Sequence, residues 1–115
     1  MVGLLDKILV VGRQEDGWVR VLAQVLENCF SSVVFVDPEH AFRTFDKENP
    51  AYALICNCGD AEAPTPEAQA FRNIKILAGE RVVLRCGDEG SGNDFLKRKF
   101  SLDDLVGRIK SLEAD

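Results

Sequence analysis

Short apolar runs alternate along the chain with segments in which apolar residues recur every three or four positions. The runs are typical of strands buried on both faces of a parallel sheet, and the periodic segments are typical of amphipathic helices. The predicted strands are 7–12, 33–36, 52–56, 81–86 and 94–97, and the predicted helices begin near Gln14, Pro38, Thr65 and Ser101. The aromatic residues Trp18, Phe42 and Phe45 fall on the apolar stripes of their helices and are predicted to lie in the core.

Strand and helix in alternation predict a parallel sheet with helices on both faces, joined by right-handed crossovers. One connection breaks the pattern. Only the glycine-rich stretch 87–93 separates the fourth and fifth strands, whereas a parallel connection usually needs a dozen or more residues. We therefore expect either an unusual pairing of the fifth strand or a missing helix, its place taken by a flexible glycine-rich loop.

The composition describes an ordinary globular chain. Its 115 residues suit one domain, 1–115, and 46% apolar with 29% charged residues is not the composition of a disordered protein. The net charge of −5 argues against binding to nucleic acid or to an anionic membrane. The sequence has neither a membrane-length apolar run nor a signal-peptide pattern at its start. We expect a cytoplasmic protein with reduced cysteines.

Three segments resemble one protein family in order along the chain. Residues 8–11 followed by Arg13, Gln14 and Glu15 resemble the opening of a response-regulator receiver domain. Residues 49–57 resemble its third strand, and residues 93–105 resemble its last strand and final helix, which is the most specific match. The resemblance covers nearly the whole chain. It implies the flavodoxin-like α/β fold, a doubly wound parallel five-stranded sheet of order 2-1-3-4-5.

The chain departs from the family wherever the receiver chemistry would lie. Gly12 and Arg13 match the acidic pair that holds magnesium, Asn57 matches the phospho-accepting aspartate, Arg85 replaces a hydroxyl residue and Arg98 replaces a lysine. An amide cannot serve as the carboxylate nucleophile, and glycine and arginine offer no oxygen ligands to a hard divalent ion. We therefore expect no aspartyl phosphorylation, no catalytic residue, no metal and no cofactor.

The three arginines Arg13, Arg85 and Arg98 should converge near Asn57 at the carboxyl ends of the strands. Arginine suits bidentate recognition of phosphate or carboxylate, so one interpretation is an anion-binding pocket. The other interpretation is that the arginines form internal ion pairs. The candidate partners for such pairs are Asp37, Asp60 and Asp88. A metal site would be restored only if loops carried other acids back to it, and the candidates for that are Glu15, Asp16 and Asp60.

The cysteines Cys56, Cys58 and Cys86 end neighbouring predicted strands. A C-x-C pair with one further thiol suits a redox centre or a soft metal, but a fourth ligand is lacking, which favours buried structural thiols. A small enzyme with Cys58 or Cys86 as its nucleophile is a third hypothesis, and a lowered thiol pKa is the property it needs.

In receivers, an aromatic residue in the last strand helps to relay activation to the output face, and Phe95 takes that position here. With the fourth helix missing, the exposed surface should comprise the glycine-rich loop, the last helix, Lys97, Lys99, Phe100 and Phe95. An uncovered sheet edge invites pairing, so we expect a protein partner or a homodimer through the fifth strand and last helix. The sequence thus favours a non-enzymatic atypical receiver, standalone or part of a longer regulator, over the alternative of an anion sensor.

Overall fold

The computed structural model describes residues 4–113, and its elements follow the predicted alternation. The strands are β1 (Ile8–Val11), β2 (Val33–Val36), β3 (Tyr52–Cys56), β4 (Val82–Gly87) and β5 (Phe95–Lys97). The helices are α1 (Gly17–Leu26), α2 (Ala41–Glu48, preceded by a 3-10 turn at Pro38–His40), α3 (Pro66–Ala78) and α4 (Leu102–Glu113). Across residues 4–113, no helix is long and apolar enough to cross a membrane.

Local sequence signals fix where two of the helices begin. The Thr65 hydroxyl accepts the backbone N–H of Ala68 at 3.1 Å, and proline occupies the first turn of α3. At α4, the Ser101 hydroxyl accepts the N–H of Asp104, and the Asp104 carboxylate accepts the N–H of Ser101, each at 3.1 Å. These caps satisfy backbone donors that the helix itself cannot pair. Both predicted starts are confirmed.

All five strands are parallel, and their order across the sheet is β2-β1-β3-β4-β5. The predicted flavodoxin-like doubly wound fold is confirmed. Successive strand residues point to opposite faces, so the core has two halves. Helices α1 and α4 cover the half that contains Val10, Leu54 and Leu84, and helices α2 and α3 cover the half that contains Val11 and Ile55.

The aromatic residues predicted for the core divide between interior and surface. Phe45 is buried, but Phe42 is 47% exposed, so the prediction for Phe42 is wrong. Helix α2 buries Ala41 and Phe45, which lie four residues apart on one face, and Phe42 lies to the side of that face, rotated about 100° from Ala41 around the helix axis. Trp18 is partly buried against the half-core of α1 and α4.

The connection from β4 to β5 explains how a parallel pair forms without a crossover helix. Strand β5 pairs only with the last three residues of β4, in the register Arg85 to Phe95, Cys86 to Leu96 and Gly87 to Lys97. After β4 the chain has to return by only about three residues along the strand before β5 begins. A seven-residue loop covers that distance readily, since an extended chain spans about 3.3 Å per residue. Within the described residues, loop 88–94 stands where a fourth crossover helix would be, as predicted.

Loop 88–94 is closely packed and not merely a flexible connector. A Cβ atom at Gly90 would lie 2.6 Å from the Phe95 ring and 2.8 Å from the carbonyl oxygen of Gly59. A Cβ atom at Gly59 would overlap the carbonyl oxygen of Glu89. The two loops that follow β3 and β4 thus approach so closely that only glycine fits at their contact.

Candidate functional site

Parallel strands bring the ends of β1, β3, β4 and β5 to one edge of the sheet, where such folds usually bind ligands. Asn57 directly follows β3 and has a left-handed backbone conformation (φ 59°), which asparagine adopts more readily than most residues. Its side-chain amide donates to Asp16 Oδ2 at 3.0 Å, and its Oδ1 accepts from Arg98 Nη1 at 3.0 Å. Asn57, which the resemblance to receivers matches to the phospho-acceptor, is therefore bonded through both of its polar side-chain atoms.

Asp16 joins this group because it caps helix α1. Its Oδ1 accepts the backbone N–H groups of Trp18 at 3.1 Å and Val19 at 3.4 Å, and also Arg98 Nη2 at 2.7 Å. Burial opposes ionisation, but the hydrogen bonds from Asn57 and the backbone, together with the charge of Arg98, outweigh it and lower the pKa of Asp16. Asp16 is thus a carboxylate in a site that favours its negative charge.

Arg98 directly follows β5 and completes the group, which we call the Asp16–Asn57–Arg98 cluster. Its backbone N–H donates to the Gly87 carbonyl at 2.7 Å, and its guanidinium lies 5.0 Å from the centre of the Trp18 ring. The Trp18 ring meets Phe100 edge-on at 5.4 Å. The contact with the Trp18 ring restrains the guanidinium and the bond to Gly87 fixes the backbone, so both parts of Arg98 are held in place beside Asn57.

Arg85 occupies a different place, on the α3 side of the sheet. Its Nη1 donates to the carbonyls of Gly59 (2.8 Å) and Cys58 (3.4 Å), and its Nη2 donates to the Ser91 carbonyl (2.6 Å) and to Asp94 Oδ1 (2.9 Å). Its side chain is only 8% exposed, between the rings of Phe71 and Phe95, each 5.4 Å away. Its Nε is buried and finds no hydrogen-bond partner among the described residues. Arg85 fastens the two glycine-containing loops to each other.

Arg13 points away from both of these groups. It forms ion pairs with Glu39 in the 3-10 turn before α2, at 2.8 Å, and with Glu67 in the first turn of α3, at 3.3 Å. The hydrogen bond and charge of Glu39 raise the pKa of Arg13, and the hydrogen bond from Arg13 lowers the pKa of Glu39. Arg13 therefore bridges surface helices instead of lining the strand ends.

The three arginines do not converge, so the expectation that all of them surround Asn57 is wrong. Each pairs with a carboxylate at its own place, and only Arg98 contacts Asn57. The internal pairing that we considered does occur, but its carboxylates are not the three that we named. The observed partners are Glu39, Glu67, Asp94 and Asp16. Anion binding at any of these arginines stays a prediction.

Gly12, which the resemblance matches to the receiver's acidic pair, is closed off by packing. A Cβ atom there would lie 2.7 Å from Val19 Cγ1 on helix α1. Among the acids considered for restoring a metal site, Asp16 does reach Asn57, but it is already paired with Arg98. In the described part of the chain, no three His, Cys, Asp or Glu side chains are grouped to hold a metal ion.

The cysteines that end β3 and β4 lie inside the protein. Cys56 and Cys86 face each other in register, and their mutual hydrogen bond and burial raise the pKa of Cys56. Burial raises the pKa of Cys58 to about 11. Cys58 is 2% exposed, and a raised pKa is the opposite of what a nucleophilic thiol needs, so burial favours a structural role for these thiols.

The predicted interaction surface is only partly exposed. Lys97 and Lys99 are exposed and Phe100 is half-buried against Trp18. Phe95 is only 7% exposed, because its ring packs beneath Gly90 and beside Arg85. Its inclusion among the surface residues is therefore wrong. Strand β5 turns Phe95 towards α3 and Leu96 towards α4, as the alternation of a strand requires.

The structure is similar to the crystal structure of the N-terminal signal receiver domain of a two-component system response regulator from Bacteroides fragilis. The TM-score is 0.68 at 18% sequence identity, and the alignment covers 96% of this chain and 98% of that chain. No protein-family model matches the sequence, and no curated protein matches it significantly. At this level of identity the likeness establishes the receiver fold, while a function has to be argued from the site.

Proposed function

We propose that this chain is a pseudo-receiver, a cytoplasmic signalling module that acts through protein–protein contacts without aspartyl phosphorylation. The observation that carries the proposal is the state of Asn57. At the end of β3 it presents an amide in place of a carboxylate, and both polar atoms of that amide are bonded to Asp16 and Arg98. Aspartyl phosphorylation needs a carboxylate oxygen that attacks phosphorus, and an amide does not provide one.

The surroundings of Asn57 support the same conclusion independently of the nucleophile. Phosphoryl transfer requires a divalent ion to neutralise the charge of the phosphoryl oxygens, and that ion requires several oxygen ligands. Gly12 leaves no space for a carboxylate beside Val19, and Arg13 extends to Glu39 and Glu67. Asp16 is a carboxylate beside Asn57, but its negative charge is already neutralised by the ion pair with Arg98.

The missing nucleophile and the missing magnesium site can be told apart by one substitution. We expect Asn57→Asp, which restores the nucleophile alone, to remain unphosphorylated because no magnesium site accompanies it. The wild type and Asn57→Asp would be incubated with acetyl phosphate and magnesium, and intact-mass spectrometry would detect an added phosphoryl group. Phosphorylation of the wild type would contradict the proposal. Phosphorylation of Asn57→Asp alone would show that the amide is the whole cause.

The contact surface is proposed at the end of β5 and the start of α4. Lys97 and Lys99 are exposed on either side of Arg98, and Phe100 follows them at the edge of the core. Strand β5 is an edge strand of only three residues, with a neighbour on one side. Exposed backbone at a sheet edge, flanked by charges that select a partner, suits association with an acidic protein surface or a second copy.

Charge reversal at this surface tests the contact. We expect the double substitution Lys97→Glu with Lys99→Glu to abolish self-association, measured by light scattering over a range of protein concentrations. The matched control is Lys47→Glu with Lys75→Glu, which makes the same change of charge at exposed positions on α2 and α3. A wild type that stays monomeric at every concentration would refute the homodimer, and equal effects of both double variants would refute the location.

A further inference from the structure

Four donors converge on one carboxylate at the strand ends. Both oxygens of Asp16 are used: Oδ2 accepts from the Asn57 amide, and Oδ1 accepts from Arg98 and from the backbone N–H groups of Trp18 and Val19. Two of these donors belong to the amino end of the ten-residue helix α1, whose dipole favours negative charge there. The donors come from three separate parts of the chain, and all of them bind the Asp16 carboxylate.

We propose that Asp16 is a built-in anionic ligand of this site, so that the chain keeps its own strand-end site in an anion-bound state. The proposal rests on the proposed function, because it names what fills the site when no phosphoryl group is attached to it. It extends that function by assigning the site a latent specificity for a small oxyanion such as inorganic phosphate. Asp16 would exclude such an oxyanion by occupying its position.

The electrostatics of the cluster favour this assignment over an incidental surface contact. The Asp16 side chain is 17% exposed and that of Arg98 is 23% exposed, so their attraction at 2.7 Å is only partly screened by water. Arg98 is also fixed independently of Asp16, through its backbone bond to Gly87 and its stacking on Trp18. The donors would therefore remain in position when the carboxylate is removed.

Other residues cannot take over the role of Asp16 without rearrangement. The neighbouring acid Glu15 is exposed, and it makes none of the hydrogen bonds of the cluster. The carboxylate partners of Arg85 and Arg13 lie at their own separate sites. Removal of the Asp16 carboxylate should therefore leave a cationic arginine with three N–H donors and no anion.

The test compares Asp16→Ser with the wild type in titrations with inorganic phosphate, against sodium chloride of equal ionic strength. Serine keeps a hydroxyl that can cap helix α1 and protect folding, but it then occupies backbone donors of the cluster, so Asp16→Ala, which frees all of the donors, is the decisive variant. Glu15→Ala is the matched control, because it removes the same charge next to the cluster without removing a donor or an acceptor from it. The readouts are the NMR shift of the Asn57 side-chain amide, Trp18 fluorescence and the melting temperature.

We expect Asp16→Ser and Asp16→Ala to bind phosphate saturably, with a rise in Tm of about 5 °C at ten times the dissociation constant. The wild type and Glu15→Ala should show no saturable change, and adding Arg98→Ala to Asp16→Ala should abolish the binding. Absence of saturable binding by Asp16→Ala would overturn the proposal, and so would equal binding by the wild type. Neither result bears on phosphoryl transfer, so this proposal and the proposed function can fail separately.

Discussion

Two arginines at the strand ends, Arg85 and Arg98, occupy positions that the resemblance to receivers matches to signalling residues, yet their environments differ. Arg85 is almost fully buried and donates mainly to backbone carbonyls of two loops. Arg98 is partly exposed, and its guanidinium donates to the side chains of Asp16 and Asn57. A guanidinium bound to backbone holds loops in place, whereas one bound to polar side chains controls what a site can accept.

Under the proposed function, the two arginines have different physical roles. Arg85, in β4, donates to carbonyls in loop 88–94 and in the loop after β3, and so holds these two loops together. Arg98 pairs with Asp16, a carboxylate that the chain itself supplies beside Asn57. The first role is structural and the second concerns the chemistry of the site, so substitutions at the two positions should have separable effects.

The largest effect is expected at Arg85. Arg85→Ala should lower the free energy of unfolding by about 4 kcal/mol, because it leaves Asp94 and several carbonyls partly buried without their donor. Arg98→Ala should cost clearly less, since its partners can be hydrated. Urea denaturation of both variants measures the difference. Equal losses of unfolding free energy in the two variants would contradict a structural role that belongs to Arg85 and not to Arg98.

Gly90→Ala tests whether loop 88–94 is fixed in place. The added methyl group would meet the Phe95 ring and the Gly59 carbonyl, and we expect a loss of about 2–3 kcal/mol in urea denaturation. The control is Gly107→Ala on the exposed side of α4, where a Cβ atom has no neighbour within 4 Å. That change should stabilise the protein by about 0.5–1 kcal/mol. A mobile loop would tolerate both substitutions equally.

Asp16→Ala should destabilise the protein by about 2 kcal/mol, through loss of the α1 cap and of the charged hydrogen bond to Arg98. Asp16→Ser should recover part of that loss, because its hydroxyl can restore the cap but not the charge. Thermal or urea unfolding of the two variants separates the contributions. Identical stability of Asp16→Ser and the wild type would indicate that the ion pair with Arg98 contributes nothing.

The smallest effect is a dependence on pH. The pKa of Asp16 is lower in the folded chain than in the unfolded one, so its ionisation stabilises the fold above the unfolded pKa. That contribution is lost as the pH falls from about 4 through the folded pKa. The stability difference between the wild type and Asp16→Asn should therefore be constant near neutral pH and shrink in acid. A difference that does not change with pH would contradict the charged role of Asp16.

The strands and the helix caps follow from local patterns, and for that reason the sequence predicts them, whereas the sheet order was implied by the resemblance to receivers. Thr65 and Ser101 mark helix starts because each hydroxyl pairs with an N–H only three residues away. The contact between Asp16 and Arg98 spans 82 residues, and no local pattern encodes it. A signal was nevertheless present, since an aspartate immediately before a helix is a typical cap and would have placed Asp16 at the strand ends.

The details of the last strand were less predictable for a related reason. The alternation of side chains along a strand does not reveal which face of β5 is covered. Phe95 is buried because loop 88–94 passes over its ring. That path depends in turn on the shortened pairing of β4 with β5, which no local pattern reveals. The same limit applies to the arginines. Residue type predicts that an arginine pairs with an acid, whereas the partner is decided by the tertiary arrangement.

The central claim, that the strand ends do not form a phosphorylation switch, is tested most directly with beryllofluoride, a mimic of the phosphoryl group. The wild type would be titrated with beryllofluoride in the presence of magnesium, while backbone NMR shifts and Trp18 fluorescence are followed. Trp18 is the only tryptophan, and it lies against Arg98. The account predicts no saturable, magnesium-dependent change at Asn57, Arg98 or Trp18. A saturable change that requires magnesium would contradict it.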